Sequence, residues 1–124
     1  MKEDDKAFDA GLALRRDMFG PAGAEQALAA ASEFSRPLQE MVTRFCFGEI
    51  WQRPGLDRKT RSLITLAMLI ASGRLTQFPV HVRGALANGA TPDELRELLL
   101  HSQVYCGIPA AVEATAICEK TLGG

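Results

Sequence analysis

The residue whose type and position best suit chemistry is His81, one of two histidines in a chain of 124 residues. It stands in the run GRLTQFPVHVRGALANGAT, residues 73 to 91. Within that run Phe78, Val82, Ala85 and Leu86 recur at helical spacing. At about 100° per residue they fill a stripe roughly 100° wide, and His81 falls at its border. Gln77 and Asn88 flank His81 on the same side, with Gly84 nearby. An imidazole there is polar yet next to the core, so a small ligand half-buried beside it would meet a group whose ordinary pKa, near 6.5, suits proton transfer. The bland alternative is a packed, hydrogen-bonded histidine with no ligand. Arg83 points about 160° away from His81, toward another surface or a neighbouring subunit.

A second group lies just before it. Arg58, Arg61, Ser62, Thr65 and Ser72 share one stripe, about 100° wide, of an otherwise apolar helix. Polar groups on a buried helix need partners, because leaving them unpaired is costly. Either they pair with Glu or backbone at a subunit contact, or they wall a pocket for an anion. Glu49 sits between aromatics and Ile50 near a helix end; desolvation would raise its pKa, and a salt bridge to a nearby arginine would serve equally well. His101 is mid-helix and reads as structural, and Trp51 reads as core or interface. Two histidines and three scattered cysteines give no zinc-ligand spacing. Neither a Walker or dinucleotide glycine pattern nor a Gly-x-Ser-x-Gly elbow is present.

The elements that must position these groups all read as helix. Residues 4–18 carry Phe8, Leu12 and Met18 on a loose apolar face, ended by Phe19-Gly20-Pro21. Residues 24–31 are alanine-rich. Residues 37–51 place Leu38, Met41, Val42, Phe45 and Cys46 at i, i+3, i+4, i+7 and i+8. A Pro-Gly turn at 53–56 follows, and Asp57 caps a helix running to about Ser72. Leu63, Ile64, Leu66, Ala67, Met68 and Ile70 make that helix apolar over much of its circumference, hence central. Gly73 closes it, and Asn88-Gly89 closes the His81 helix. Thr91 and Glu94 have capping-box spacing, with Pro92 at the first helical position. Leu95, Leu98, Leu99, Ser102 and Val104 carry that helix to about Cys106, and Pro109 opens a last one through Val112, Ile117 and Cys118. The fold class is all-α, a single-domain bundle of six or seven helices spanning residues 1–124.

Composition narrows the function. Hydrophobic residues make up 47% of the chain, enough for a packed core without disulfides or metal. A net charge of −1 and 6% aromatics argue against nucleic acid or a membrane surface as the partner. The longest apolar stretch, from Leu63 to Ala71, is far short of the roughly twenty residues of a membrane span. The N-terminal stretch lacks the apolar core of a signal peptide, so the expected location is the cytoplasm. Cys46, Cys106 and Cys118 read as reduced, mostly buried thiols.

GEIWQRPGLDRKTRSLITLAMLIASGR followed by PVHVRGALANGATPDELRELLLHSQVYCGIPAA resembles the carboxymuconolactone decarboxylases. The likeness covers about residues 8–122, and GEIW-x-RPGLD, HVRGAL-x-NG and VY-x-G-x-PAA carry it. The resemblance implies the helical fold of the alkylhydroperoxidase D superfamily, whose redox site is Cys-x-x-Cys-x-x-x-His. Matched on His81, the two cysteines fall on Arg74 and Gln77, and the superfamily's site glutamate falls near Ser62. Without a cysteine pair there is no dithiol to cycle, as in the decarboxylase branch.

The implied reaction is loss of carbon dioxide from 4-carboxymuconolactone, or a related lactone acid, to 3-oxoadipate enol-lactone in aromatic-acid (protocatechuate) catabolism. The conjugated lactone carbonyl accepts the departing electrons, so no cofactor and no metal are required. As a hypothesis, His81 donates the proton or supports the oxyanion, with Glu49 orienting it or sharing a relay. Arg58 or Arg61 binds carboxylate, and Ser62 and Gln77 line the pocket. The family further implies a ring-like homo-oligomer, commonly a hexamer built as a trimer of dimers; Val80, Arg83 and Ala87, on the far side of the His81 helix, are compatible with that. Two alternatives stand beside this reading: weak thiol-dependent redox chemistry through Cys46 or Cys106, and a non-catalytic helical oligomer.

Overall fold

The computed structural model describes residues 5–123. Seven α-helices make up most of them, and no strand occurs among the described residues. The all-α class is therefore as the hydrophobic spacing predicts. The chain forms two compact units, one ending at Leu56 and the other beginning at Asp57, so the division falls in the Pro-Gly turn.

In the N-terminal unit, α1 (Lys6–Phe19) starts at Asp5, whose carboxylate accepts from the Phe8 backbone N–H at 3.1 Å. Asp4, the expected first residue, lies outside the described residues. The buried face of α1 is Gly11, Leu14, Arg15 and Met18, an i, i+3, i+4, i+7 set. Phe8 and Leu12, expected on that face, are only half-buried. The helix is turned this way because it crosses its partner at glycines. A Cβ on Gly11 would collide with the Thr43 carbonyl oxygen, and one on Gly48 with that of Ala7. After a turn at Pro21–Gly23 and α2 (Glu25–Ala30), that partner begins as α3 (Arg36–Met41).

Beyond α3 the single expected helix over 37–51 changes character. Val42–Ile50 forms π-helical turns, in which bonds reach five residues back; the Trp51 N–H donating to the Cys46 carbonyl at 3.0 Å continues the pattern. The wider turn brings Thr43, Phe47 and Trp51, spaced four apart, to the inner side. Leu38, Met41 and Phe45, expected inside from α-helical spacing, are exposed instead. Leu14, Met18, Phe47 and Trp51 form the core of this unit.

The C-terminal unit holds α4 (Arg58–Ser72), α5 (Phe78–Ala87), α6 (Pro92–Cys106) and α7 (Ile108–Gly123). Asp57 caps α4 by accepting from the Thr60 N–H at 2.8 Å, and Gly73 ends it in the left-handed conformation at φ 72°. Thr91 and Glu94 make the expected capping box, side chain to backbone both ways, at 3.1 and 2.9 Å. Leu66, Ile70, Phe78, Val82, Leu95 and Leu99 meet Ala114 and Cys118 in the core. Each large side chain buried there contributes about 1.5–3 kcal/mol. The expectation that α4 is buried on most sides does not hold within the chain. Only Ser62, Leu66 and Ile70 are buried on it, while Ile64 and Met68 are exposed.

Candidate active site

The two polar groups singled out above belong to one helical hairpin. A five-residue link, 73–77, joins α4 to α5, and Asn88 at the end of α5 donates from Nδ2 to Ser62 Oγ, near the start of α4, at 3.0 Å. The helices therefore run antiparallel. His81 lies seven residues before Asn88, on the same side and about 10 Å back along the axis. The polar flank thus has an imidazole toward one end and the arginines of α4 toward the other.

The stripe on α4 sorts itself by partner. Thr65 Oγ1 donates to the Arg61 carbonyl at 2.8 Å and Ser72 Oγ to that of Met68 at 2.7 Å, so both hydroxyls are spent on their own helix. Ser62 is 2% exposed and is held by Asn88. Arg58 is exposed, whereas Arg61 is half-buried with its Nε inside.

On α5, Phe78, Val82 and Ala85 are buried and Leu86 half-buried, as the spacing predicts. His81 is half-buried at their border, and burial lowers its pKa below the usual 6.5. The imidazole is therefore neutral at neutral pH, able to donate from one ring nitrogen and accept at the other. Gln77 is exposed, immediately before α5. Arg83 and Ala87 are exposed, while Val80 is half-buried.

Glu49 stands in the other unit, on the π-helical run. Its side chain is exposed, so the desolvation expected from its aromatic neighbours does not occur. All three cysteines are free, and only Cys118 is fully buried. Burial pushes the Cys46 and Cys118 thiols up, which leaves little thiolate for redox chemistry at neutral pH. His101 is exposed on α6, its ring centroid 5.2 Å from that of Tyr105. Two surface grooves of the C-terminal unit, of about 400 and 510 Å³, lie along α6 and are lined by residues other than His81. The described residues contain no cluster of three or more His, Cys, Asp or Glu able to hold a metal.

Sequence reasoning missed Arg15, which is buried and donates to Thr43 Oγ1 and Gln39 Oε1, both at 2.9 Å. The signal was present: Gly11, Leu14, Arg15 and Met18 have better helical spacing than Phe8, Leu12 and Met18.

The fold is that of a small all-α protein. The chain belongs to the carboxymuconolactone decarboxylase family, whose model matches residues 36–120. It is 45% identical over 117 residues to a nitrosuccinic acid decarboxylase of Metarhizium robertsii, covering 94% of this chain and 82% of that protein. It is 39% identical, also over 117 residues, to the 4-carboxymuconolactone decarboxylase of Acinetobacter baylyi, covering 94% and 87%. No helix among the described residues is long and apolar enough to cross a membrane.

Proposed function

We propose that the protein decarboxylates a small organic acid that carries its own electron sink, 4-carboxymuconolactone or a related lactone acid. The observation that carries this reading is the half-buried, neutral imidazole of His81 on a flank that ends in guanidiniums. The 39% identity to a protein of that activity supports the substrate.

The bond between the ring carbon and its carboxylate breaks, and the electron pair moves through the alkene into the lactone carbonyl. Carbon dioxide leaves, and the dienolate takes a proton at carbon. His81 donates its N–H toward the developing oxyanion, takes up a proton from solvent at its other ring nitrogen, and as the imidazolium so formed delivers a proton to carbon, returning to the neutral form. Arg58 or Arg61 holds the carboxylate that stays behind. A clamp on the departing one would oppose loss of its charge. Gln77 lines the flank as a neutral donor, whereas Ser62, enclosed and held by Asn88, positions the helix rather than meeting substrate. Glu49, the second residue proposed for a relay, is exposed on the N-terminal unit.

A second substrate is favoured by the 45% identity to a nitrosuccinic acid decarboxylase. There the nitro group beside the lost carboxylate would be the sink, and the same residues would serve.

We further propose a homo-oligomer, a trimer of dimers. Its support is the apolar surface at the end of α6 and start of α7: Val104, Tyr105, Ile108 and Val112 are 61–79% exposed. Light scattering reporting a monomer would remove this part.

Absorbance assays of both acids with the purified protein test the reaction. Turnover of one, lost in His81→Gln, is expected. Turnover of neither, or full activity in the variant, would overturn the reading.

A further inference from the structure

Arg15 is 7% exposed, and its surroundings hold it without neutralising it. Nε donates to the Gly23 carbonyl at 2.9 Å, and Nη1 donates to Gln39 Oε1 and Thr43 Oγ1, both at 2.9 Å. All three acceptors are uncharged. Its guanidinium carbon lies 6.0 Å from the centroid of the Phe47 ring. The neighbouring cations of the same unit are treated differently: Arg16 pairs with Glu25 at 3.0 Å and Arg44 with Asp5 at 2.7 Å. Among the described residues no carboxylate pairs with Arg15, and no hydrogen bond engages Nη2.

A cation taken out of water without a counter-ion is strongly unfavourable, so a purely structural tie between α1 and α3 would be better made by a neutral donor. Thr43, which helps hold the guanidinium, stands on the π-helical run, a geometry that recurs at functional sites.

We propose that Arg15 Nη2 is a binding point for the carboxylate of a small organic acid on the N-terminal unit. Gly23, Gln39 and Thr43 form the neutral cradle that fixes the guanidinium. With Nε and Nη1 already engaged, the contact is end-on through Nη2 rather than forked. Only the class of ligand rests on the decarboxylase reading, whose substrates and products are small carboxylic acids; this contact is separate from the one assigned to Arg58 or Arg61.

Succinate is the probe, a dicarboxylate with no electron sink. It is titrated into the full chain at constant ionic strength, following fluorescence of Trp51, the one tryptophan, whose ring centroid lies 5.9 Å from that of Phe47. The wild type should give a saturable change. Gln39→Glu is nearly isosteric and supplies Arg15 with an internal carboxylate. That variant should keep its helical circular dichroism and melting temperature yet bind succinate about tenfold or more weakly. Unchanged succinate affinity in Gln39→Glu, or no saturable response in the wild type, would overturn the proposal. So would a succinate-insensitive wild type whose Gln39→Glu form changes mass by light scattering, since Arg15 would then be serving a carboxylate of a second copy. If His81→Gln abolishes turnover while Gln39→Glu binds succinate normally, this site falls and the decarboxylase stands. A succinate response weakened in Gln39→Glu, without turnover of either acid by the wild type, gives the reverse result.

Discussion

Asn88 Nδ2 donates to Ser62 Oγ at 3.0 Å, tying the end of the helix that carries His81 to the start of the helix that carries Arg58 and Arg61. Ser62 is fully enclosed, so loss of its donor cannot be made good by water. Asn88→Ala should destabilise the protein by about 1–2 kcal/mol in urea unfolding. Ser62→Ala should cost less, because the half-buried Asn88 amide can turn to solvent. The double variant should fall short of the sum of the two. Strict additivity would mean that the bond contributes nothing.

Replacing His81 by Gln or Ala should lower kcat by about 10²–10⁴ with circular dichroism unchanged. The half-buried position leaves room for the smaller side chain without a sealed cavity. A comparable change confined to KM would make His81 a binding group instead.

The pH dependence has a definite sign. Burial lowers the folded-state pKa of His81 below the 6.5 of the unfolded chain. As pH falls from above 6.5 toward the folded value, the unfolded state takes up the proton first, so stability is lost on acidification. The melting temperature should therefore drop across that interval, and less steeply in His81→Gln. The acid limb of kcat should have its midpoint below 6.5.

Gly11→Ala should unfold or severely destabilise the N-terminal unit, by about 3 kcal/mol or more, because the added Cβ meets a backbone carbonyl that cannot step aside. Gly55→Ala, with open space around it, should be silent. Thermal melts of the two variants make the comparison.

Helix ends and the flank around His81 were legible because they are written locally. Asp57, Gly73 and the Thr91–Glu94 box each act over three or four residues, and the Phe78, Val82, Ala85 stripe needs only helical geometry. What misled was the inference from apolar residue to buried residue. Ile64, Met68 and Val104 are apolar and exposed in the single chain. Residues 37–51 were misread for a different reason. Their α-helical spacing is real, but the close crossing at Gly11 and Gly48 accompanies wider turns that bury Thr43 and Phe47 instead. Arg15 was passed over because a hydrophobic pattern assumes that a guanidinium faces water, although its spacing with Gly11, Leu14 and Met18 marks the buried face. Glu49 looked desolvated from its sequence neighbours, yet those neighbours lie on other sides of the same helix.

The nine π-helical residues also make this stretch intolerant of changes in length. Deleting one residue between 42 and 46 would change the phase of everything downstream. Phe47 and Trp51 would swing off the face they share with Leu14 and Met18. The exposed turn at 53–56 has no such phase to keep. Insertions and deletions among homologous chains should therefore collect in that turn and be absent from the π-helical run, even where the residue types there vary freely.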